Sequence, residues 1–227
     1  MSRRGLIGLT ILMASALPLA QTVASGPPGF AHRPPGELTP GSGQGRPDSK
    51  AYLPDMRFPL EAAPAFANSQ VWGTGGLHGP TGSQCAPVNY SYPWRDNFCE
   101  TRAHVMPLCP AGQGHQGQDI RPATCEKNKH WAVAAVAGTV TSVGSYSVYV
   151  TADDGSGTRV EYLHMSDVAV AVGQRVLKGQ RLGKVSDVFP GSSTTIHLHL
   201  NIRQKDATLG FVFVPPYMSL VEAFQRL

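Results

Sequence analysis

Three short stretches concentrate the side chains that could do chemistry. Residues 196–202 read IHLHLNI. In a strand, with its period of two, Ile196, Leu198, Leu200 and Ile202 share one face and His197, His199 and Asn201 the other. The two imidazoles then stand ~7 Å apart along the strand. An isolated H-x-H is equally compatible with a solvated polar face. Residues 114–122 read GHQGQDIRP. Extended chain brings His115 and Asp119 to one side, and a neutral imidazole with a carboxylate is a common zinc-binding pair. Tyr162-Leu163-His164 closes the third stretch, its His at a strand end that faces a loop or cleft. Each piece alone is weak; a lone histidine is more often structural. Together they supply three ligands and two spare histidines. A catalytic zinc needs three protein ligands and an open position. Hydrolysis also needs a base for the water and a donor for the developing oxyanion.

Most of the elements that must hold these residues are strands. Gly (25) and Pro (19) are abundant and charged residues make up only 15% of the 227. That balance disfavours a helical bundle or coiled coil and favours a loop-rich, mainly β protein. WAVAAVAGTVT from Trp131 reads as strand, turn, strand. SVYVT and TRVEYLH flank ADDGSG, a hairpin signal. VAVAVGQRVLKGQRLGKV alternates apolar pairs with Gly173, Gly179 and Gly183. After Pro215-Pro216, Leu220, Val221, Phe224 and Leu227 fall at helical spacing, which predicts a short C-terminal helix.

In this order and combination the motifs resemble those of the lysostaphin/LytM-type zinc murein endopeptidases of bacteria. The matching elements are GHQGQDI, AVAGTV, TRVEYLHMSDV, VGQRVLKGQRLGKV and IHLHLNI, over about residues 110–202 and on to 216. The resemblance implies an antiparallel sheet or open barrel with a groove, one Zn²⁺, and cleavage of peptide bonds in peptidoglycan stems and cross-bridges. It makes His115, Asp119 and His199 the zinc ligands and His164 and His197 the unliganded catalytic pair. Sequence does not divide the roles of that pair. The chain also departs from its relatives. SDVFPGSSTTI replaces a Gly-rich stretch before the H-x-H, Asn201 stands where many relatives have Glu, and Cys109 where many have Tyr. Two other readings compete: a non-catalytic wall-binding or regulatory module on the same fold, and a wall-peptide carboxypeptidase.

The rest of the chain sets the context. Arg3 and Arg4 precede a 16-residue uncharged, largely apolar run and then small residues, the order of a secretory leader over residues 1–24. The run is short of the ~20 residues that span a bilayer. A periplasmic or secreted location is expected from this, with no stable membrane anchor after cleavage, and the protein is expected to be a monomer. A formal charge of +4 without a dense basic run excludes nucleic acid as a partner. Residues 25–68 read as a Gly/Pro-rich linker and strap, with six Gly and six Pro in 26–47. Residues 69–227 read as the metallopeptidase domain, with stapled loops over 85–125 and a catalytic core over 110–216. In an exported protein, Cys85, Cys99, Cys109 and Cys125 predict two disulfides. Closing the smallest loops would pair Cys85 with Cys99 and Cys109 with Cys125. His32, His78, His104 and His130 lie outside the motifs. Trp72, Trp94 and Trp131 suit core or surface anchoring better than a groove wall, and Asp153-Asp154 is a turn.

Overall fold

A computed structural model describes residues 26–227; the leader expected over residues 1–24 lies outside the described residues. The described chain is mainly antiparallel β. Its strands are β1 (Phe66–Ala67), β2 (Gln118–Arg121), β3 (Trp131–Val133), β4 (Gly138–Val143), β5 (Val148–Ala152), β6 (Arg159–Leu163), β7 (Met165–Ser166), β8 (Arg175–Val176), β9 (Arg181–Phe189), β10 (Ser192–Asp206) and β11 (Gly210–Val214). One α-helix, α1 (Tyr217–Gln225), closes the chain. The main sheet runs β1-β2-β10-β6-β5-β4-β8, with β11 and β9 also on β10, and β3 and β7 on β9. No helix among the described residues is long and apolar enough to cross a membrane.

The alternation of residues 196–202 acts as anticipated. Ile196, Leu198, Leu200 and Ile202 enter the core with Val150, Val160 and Tyr162. β10 is long enough to change neighbours along its length. Its first part pairs with β9, with His197 opposite Ser186. Its middle lies between β2 and β6, so that His199 stands opposite Asp119 on one side and Leu163 on the other. The expected β5–β6 hairpin is present, with Val150 opposite Val160.

Two expectations are corrected. Residues 26–47 do not project as a solvated linker. Phe30 packs edge-on to Trp94 and Phe224, with ring centroids 4.8 and 4.9 Å apart, and Leu38 and Ser42 are buried. Trp94 N donates to Ala31 O and Arg33 N to Trp94 O. The Gly and Pro residues bend the segment, while a few apolar anchors and this backbone bridge hold it down. The strap goes deeper still: Met56, Phe58 and Leu60 are core residues, and Phe58 stacks on Trp94.

The disulfides are Cys85–Cys125 and Cys99–Cys109, each with Cα atoms 5.4 Å apart. Cys99–Cys109 closes the shortest loop available, 10 positions, whereas Cys85–Cys125 spans 40 and is set by the sheet. Arg121 on β2 reaches back to Gln84, its guanidinium donating to Gln84 O at 2.9 Å, which draws the two ends of the longer loop together. Cys99 N donates to His115 O, so residues 99–115 return on themselves and bring Cys109 to Cys99.

Candidate metal and catalytic site

The site straddles β2, β10 and the end of β6. Cross-strand partners on one face of a sheet carry Cβ atoms ~4.5–5.5 Å apart, and Asp119 and His199 are such a pair. His115 precedes β2 in a loop that must press close to β10. At Gly117 a Cβ would lie 2.2 Å from Leu200 O and 2.4 Å from Asn201 Oδ1, so only glycine fits there. His164 follows β6 directly, at φ 65. This left-handed conformation costs about 1–3 kcal/mol in a non-glycine residue and collects at functional sites. It is held from both sides: Ser186 N donates to His164 O, and His164 Nδ1 donates to Val188 O at 2.9 Å.

The structure therefore brings together all five residues singled out in the sequence, each 8% exposed or less. His115 Nε2, Asp119 Oδ1 and His199 Nδ1 converge, separated by 3.0 Å (His115–His199), 3.0 Å (His199–Asp119) and 3.4 Å (His115–Asp119). His197 Nε2 lies 3.4 Å from the same Asp119 oxygen. The rings of His164 and His197 are 4.6 Å apart.

Hydrogen-bond partners decide where each imidazole keeps its proton. His115 Nδ1 meets the carbonyl of Asn97 at 2.9 Å, His164 Nδ1 that of Val188, and His197 Nδ1 that of Thr195 at 2.8 Å. A carbonyl only accepts, so each Nδ1 carries the hydrogen and each neutral ring keeps its lone pair on Nε2. His199 is turned round. Asn201 Nδ2 must donate to the Glu161 carboxylate at 3.0 Å, which leaves Asn201 Oδ1 to accept from His199 Nε2 at 2.6 Å. The lone pair of His199 is thus on Nδ1. Glu161 is itself held by Arg159 Nε at 2.8 Å.

Three lone-pair atoms consequently face one another within 3.4 Å with no hydrogen between them. That arrangement is repulsive unless a cation sits among them. A tetrahedral zinc with bonds of ~2.0–2.1 Å has ligand–ligand edges of ~3.3–3.4 Å, close to the separations here. Among the described residues, His115, Asp119 and His199 form a group whose donor atoms could hold one metal ion. The donor set suits zinc, with two imidazoles, one carboxylate and further ring nitrogens nearby.

Electrostatics follow from burial and these contacts. Burial alone would raise the Asp119 carboxyl, but His115 and His197 facing it hold it well below the ordinary range. Burial lowers His115 against the pull of Asp119. Burial, then the neighbouring imidazoles of His197 and His199, pulls His164 down to about 3. His115 and His164 therefore stay neutral, each with a ring lone pair left for a cation or a hydrogen-bond donor.

Several supporting residues carried no signal in the sequence. Asn97, 18 positions before His115, clamps two site residues at once. Its carbonyl fixes His115, its Nδ2 donates to Asp119 Oδ2 at 2.8 Å and its Oδ1 accepts from Asp119 N at 3.1 Å. Thr195 Oγ1 donates to Gln70 Oε1 at 2.7 Å, tying His197's segment to the stretch after the strap. Nothing about a solitary Asn or Gln distinguishes it until the fold sets it beside its partner. Of the tryptophans, Trp94 is wholly buried, and Trp131 lies under Arg181 and Lys184.

Residues 113–210 match peptidase family M23. Over that segment the chain is similar to the M23 peptidases. Solved structures of similar sequence include a candidate glycyl-glycine endopeptidase LytM from Ruminococcus gnavus, at 29% identity and TM-score 0.42, covering 47% of this chain and 46% of that one. A candidate M23 peptidase from Pseudomonas aeruginosa shares 27% identity at TM-score 0.36, covering 48% and 44%. The catalytic domain of lysostaphin, an antimicrobial peptidase from Staphylococcus simulans, shares 25% identity at TM-score 0.36, covering 46% and 78%. The chain thus spans less than half the length of the first two relatives. The matched segment contains all five residues singled out in the sequence.

Proposed function

We propose that this protein is an exported zinc metalloendopeptidase that hydrolyses peptide bonds in peptidoglycan cross-links. The observation that carries the reading is the tautomer pattern. Four buried histidines each spend one ring nitrogen on a fixed acceptor, and the bare nitrogens of His115 and His199 meet Asp119 Oδ1 within 3.4 Å. The M23 match supports the peptidase class. The R. gnavus relative, described as a glycyl-glycine endopeptidase, supports a wall-peptide substrate. Two disulfides suit an oxidising compartment, in keeping with the leader pattern.

His115 Nε2, Asp119 Oδ1 and His199 Nδ1 would hold the zinc. When bound, zinc polarises the scissile carbonyl and lowers the pKa of a water to ~7. His164 and His197 supply the proton chemistry, each with Nδ1 tied to a main-chain carbonyl and Nε2 free. One accepts the proton of the attacking water at Nε2. The other, once protonated, donates from Nε2 to the oxygen that gains charge. Asn97 and Asn201 orient the ligands.

The test separates metal binding from chemistry. His164→Ala and His197→Ala are expected to retain one zinc per chain and lose activity by ~10²–10⁴-fold, whereas His199→Ala loses both. Bound zinc is measured by elemental analysis, and cleavage of defined cross-linked muropeptides by mass of the products. Zinc loss in His197→Ala with retention in His199→Ala would reverse the assignment. Release of single terminal residues in place of cross-link cleavage would make the protein a carboxypeptidase.

A further inference from the structure

On the side of the site formed by His164, two aromatic rings have no role in holding metal or proton. Phe189 is the last residue of β9 and pairs with Ser192, the first of β10, across a two-residue turn of Pro190 and Gly191. Gly191 has φ 74, the left-handed conformation that the second turn position demands after a proline. This tight turn presents Phe189 on regular strand rather than on a long loop. Its ring lies 5.6 Å from that of His164 and 6.2 Å from that of Tyr146. Tyr146, in the β4–β5 connection, stacks on His164 at 5.9 Å and 15° between planes, and its carbonyl accepts from Met165 N. Three rings therefore surround one corner of the site.

Phe189 is nevertheless 48% exposed. A lone exposed aromatic is ordinary; this one packs beside His164, a residue of the proposed catalytic pair, and leaves about half of its surface free. We propose that Phe189 and Tyr146 form an apolar subsite for a methyl-bearing residue, an alanyl group next to the scissile bond. The proposal rests on the peptidase reading above and narrows its substrate class: alanyl cross-links are favoured over glycyl bridges. A methyl group removes apolar ring surface from water when it docks, and glycine has no side chain with which to do so. One methyl-sized contact in an apolar subsite discriminates by ~10-fold or more.

The experiment compares kcat/KM on two defined cross-linked muropeptides, one joined through D-alanyl–diaminopimelate and one through a glycyl bridge. The zinc-loaded wild type is expected to favour the alanyl substrate by ~10-fold or more. Phe189→Ala is expected to compress that ratio by ~10-fold, and Phe189→Leu to keep most of it. The ratio is the readout because a disturbance of His164 alone would lower both rates alike. A wild-type preference for the glycyl substrate, or a ratio in Phe189→Ala within twofold of wild type, overturns the subsite while leaving the peptidase reading standing. Should neither substrate be cleaved, the peptidase reading fails, and fluorescence of the Phe189→Trp variant then decides the subsite. Quenching by the alanyl but not the glycyl muropeptide upholds it, and an equal response to both overturns it.

Discussion

Asn201→Leu tests the chain of hydrogen bonds behind His199 with little change in volume. In the native site Asn201 Oδ1 accepts from His199 Nε2 at 2.6 Å, and Asn201 itself is only 3% exposed, so water is not at hand to replace it. A buried donor stripped of its acceptor costs about 1–3 kcal/mol. The imidazole can escape that cost by moving its proton to Nδ1, where Asp119 Oδ1 waits 3.0 Å away. The proton would then occupy the position proposed for the metal. Binding zinc must undo that shift, so the lost preference of about 1–3 kcal/mol appears as a fall in zinc affinity of ~10–100-fold, the range usual for residues that orient metal ligands. Competition with a chromophoric chelator measures the affinity. Imidazole ¹⁵N shifts of the metal-free protein report the tautomer directly: His199 Nδ1 bare in the wild type and protonated in the variant. Affinity within twofold of wild type would refute the reasoning. So would a fall in affinity with the tautomer unaltered, since that would trace the loss to disturbed packing alone.

Phe58→Ala should destabilise the protein by about 3–5 kcal/mol, because the ring is fully buried against Trp94 and Phe224; urea denaturation measures it, and a loss below about 1 kcal/mol would mean that the strap does not belong to the core. Burial raises Asp96 to about 6 and Glu100 to about 7, above their ordinary 3.8 and 4.5, so the folded state binds more protons than the unfolded chain between those values. The stability of metal-free Glu100→Gln relative to the metal-free wild type should therefore rise with pH between about 4.5 and about 7; a difference in urea midpoints that stays flat or falls over this window would contradict the assignment. Replacing Cys85 and Cys125 by Ser should cost about 4 kcal/mol in the chain-entropy model, against about 3 kcal/mol for Cys99 and Cys109, and thermal denaturation showing the reverse order would place the strain elsewhere.

What the sequence determined by itself is whatever depends on local period and turn chemistry. The alternation in residues 196–202 assigns His197, His199 and Asn201 to one face whichever strands flank them, because successive side chains point oppositely in any extended chain. The same locality made the β5–β6 hairpin and α1 readable, and the combination of GHQGQD, YLH and HLH picked out the five residues that the structure brings together. Tertiary structure alone decided which atoms face one another. His199 presents Nδ1 because Glu161, on the neighbouring strand, orients Asn201; that choice depends on β10 pairing with β6 in one register. Asn97 serves the site because residues 97–115 fold back along β2, which no spacing encodes. Cys85 paired with Cys125, 40 positions away, because strand contacts bring the two together in space, and Cys99–Cys109, 10 positions apart, is the shortest closure available. Residues 26–68, read from composition as linker and strap, joined the core because a few apolar side chains, Phe30 and Phe58 foremost, met Trp94 and Phe224. Composition averages over such anchors; packing depends on where each one lands.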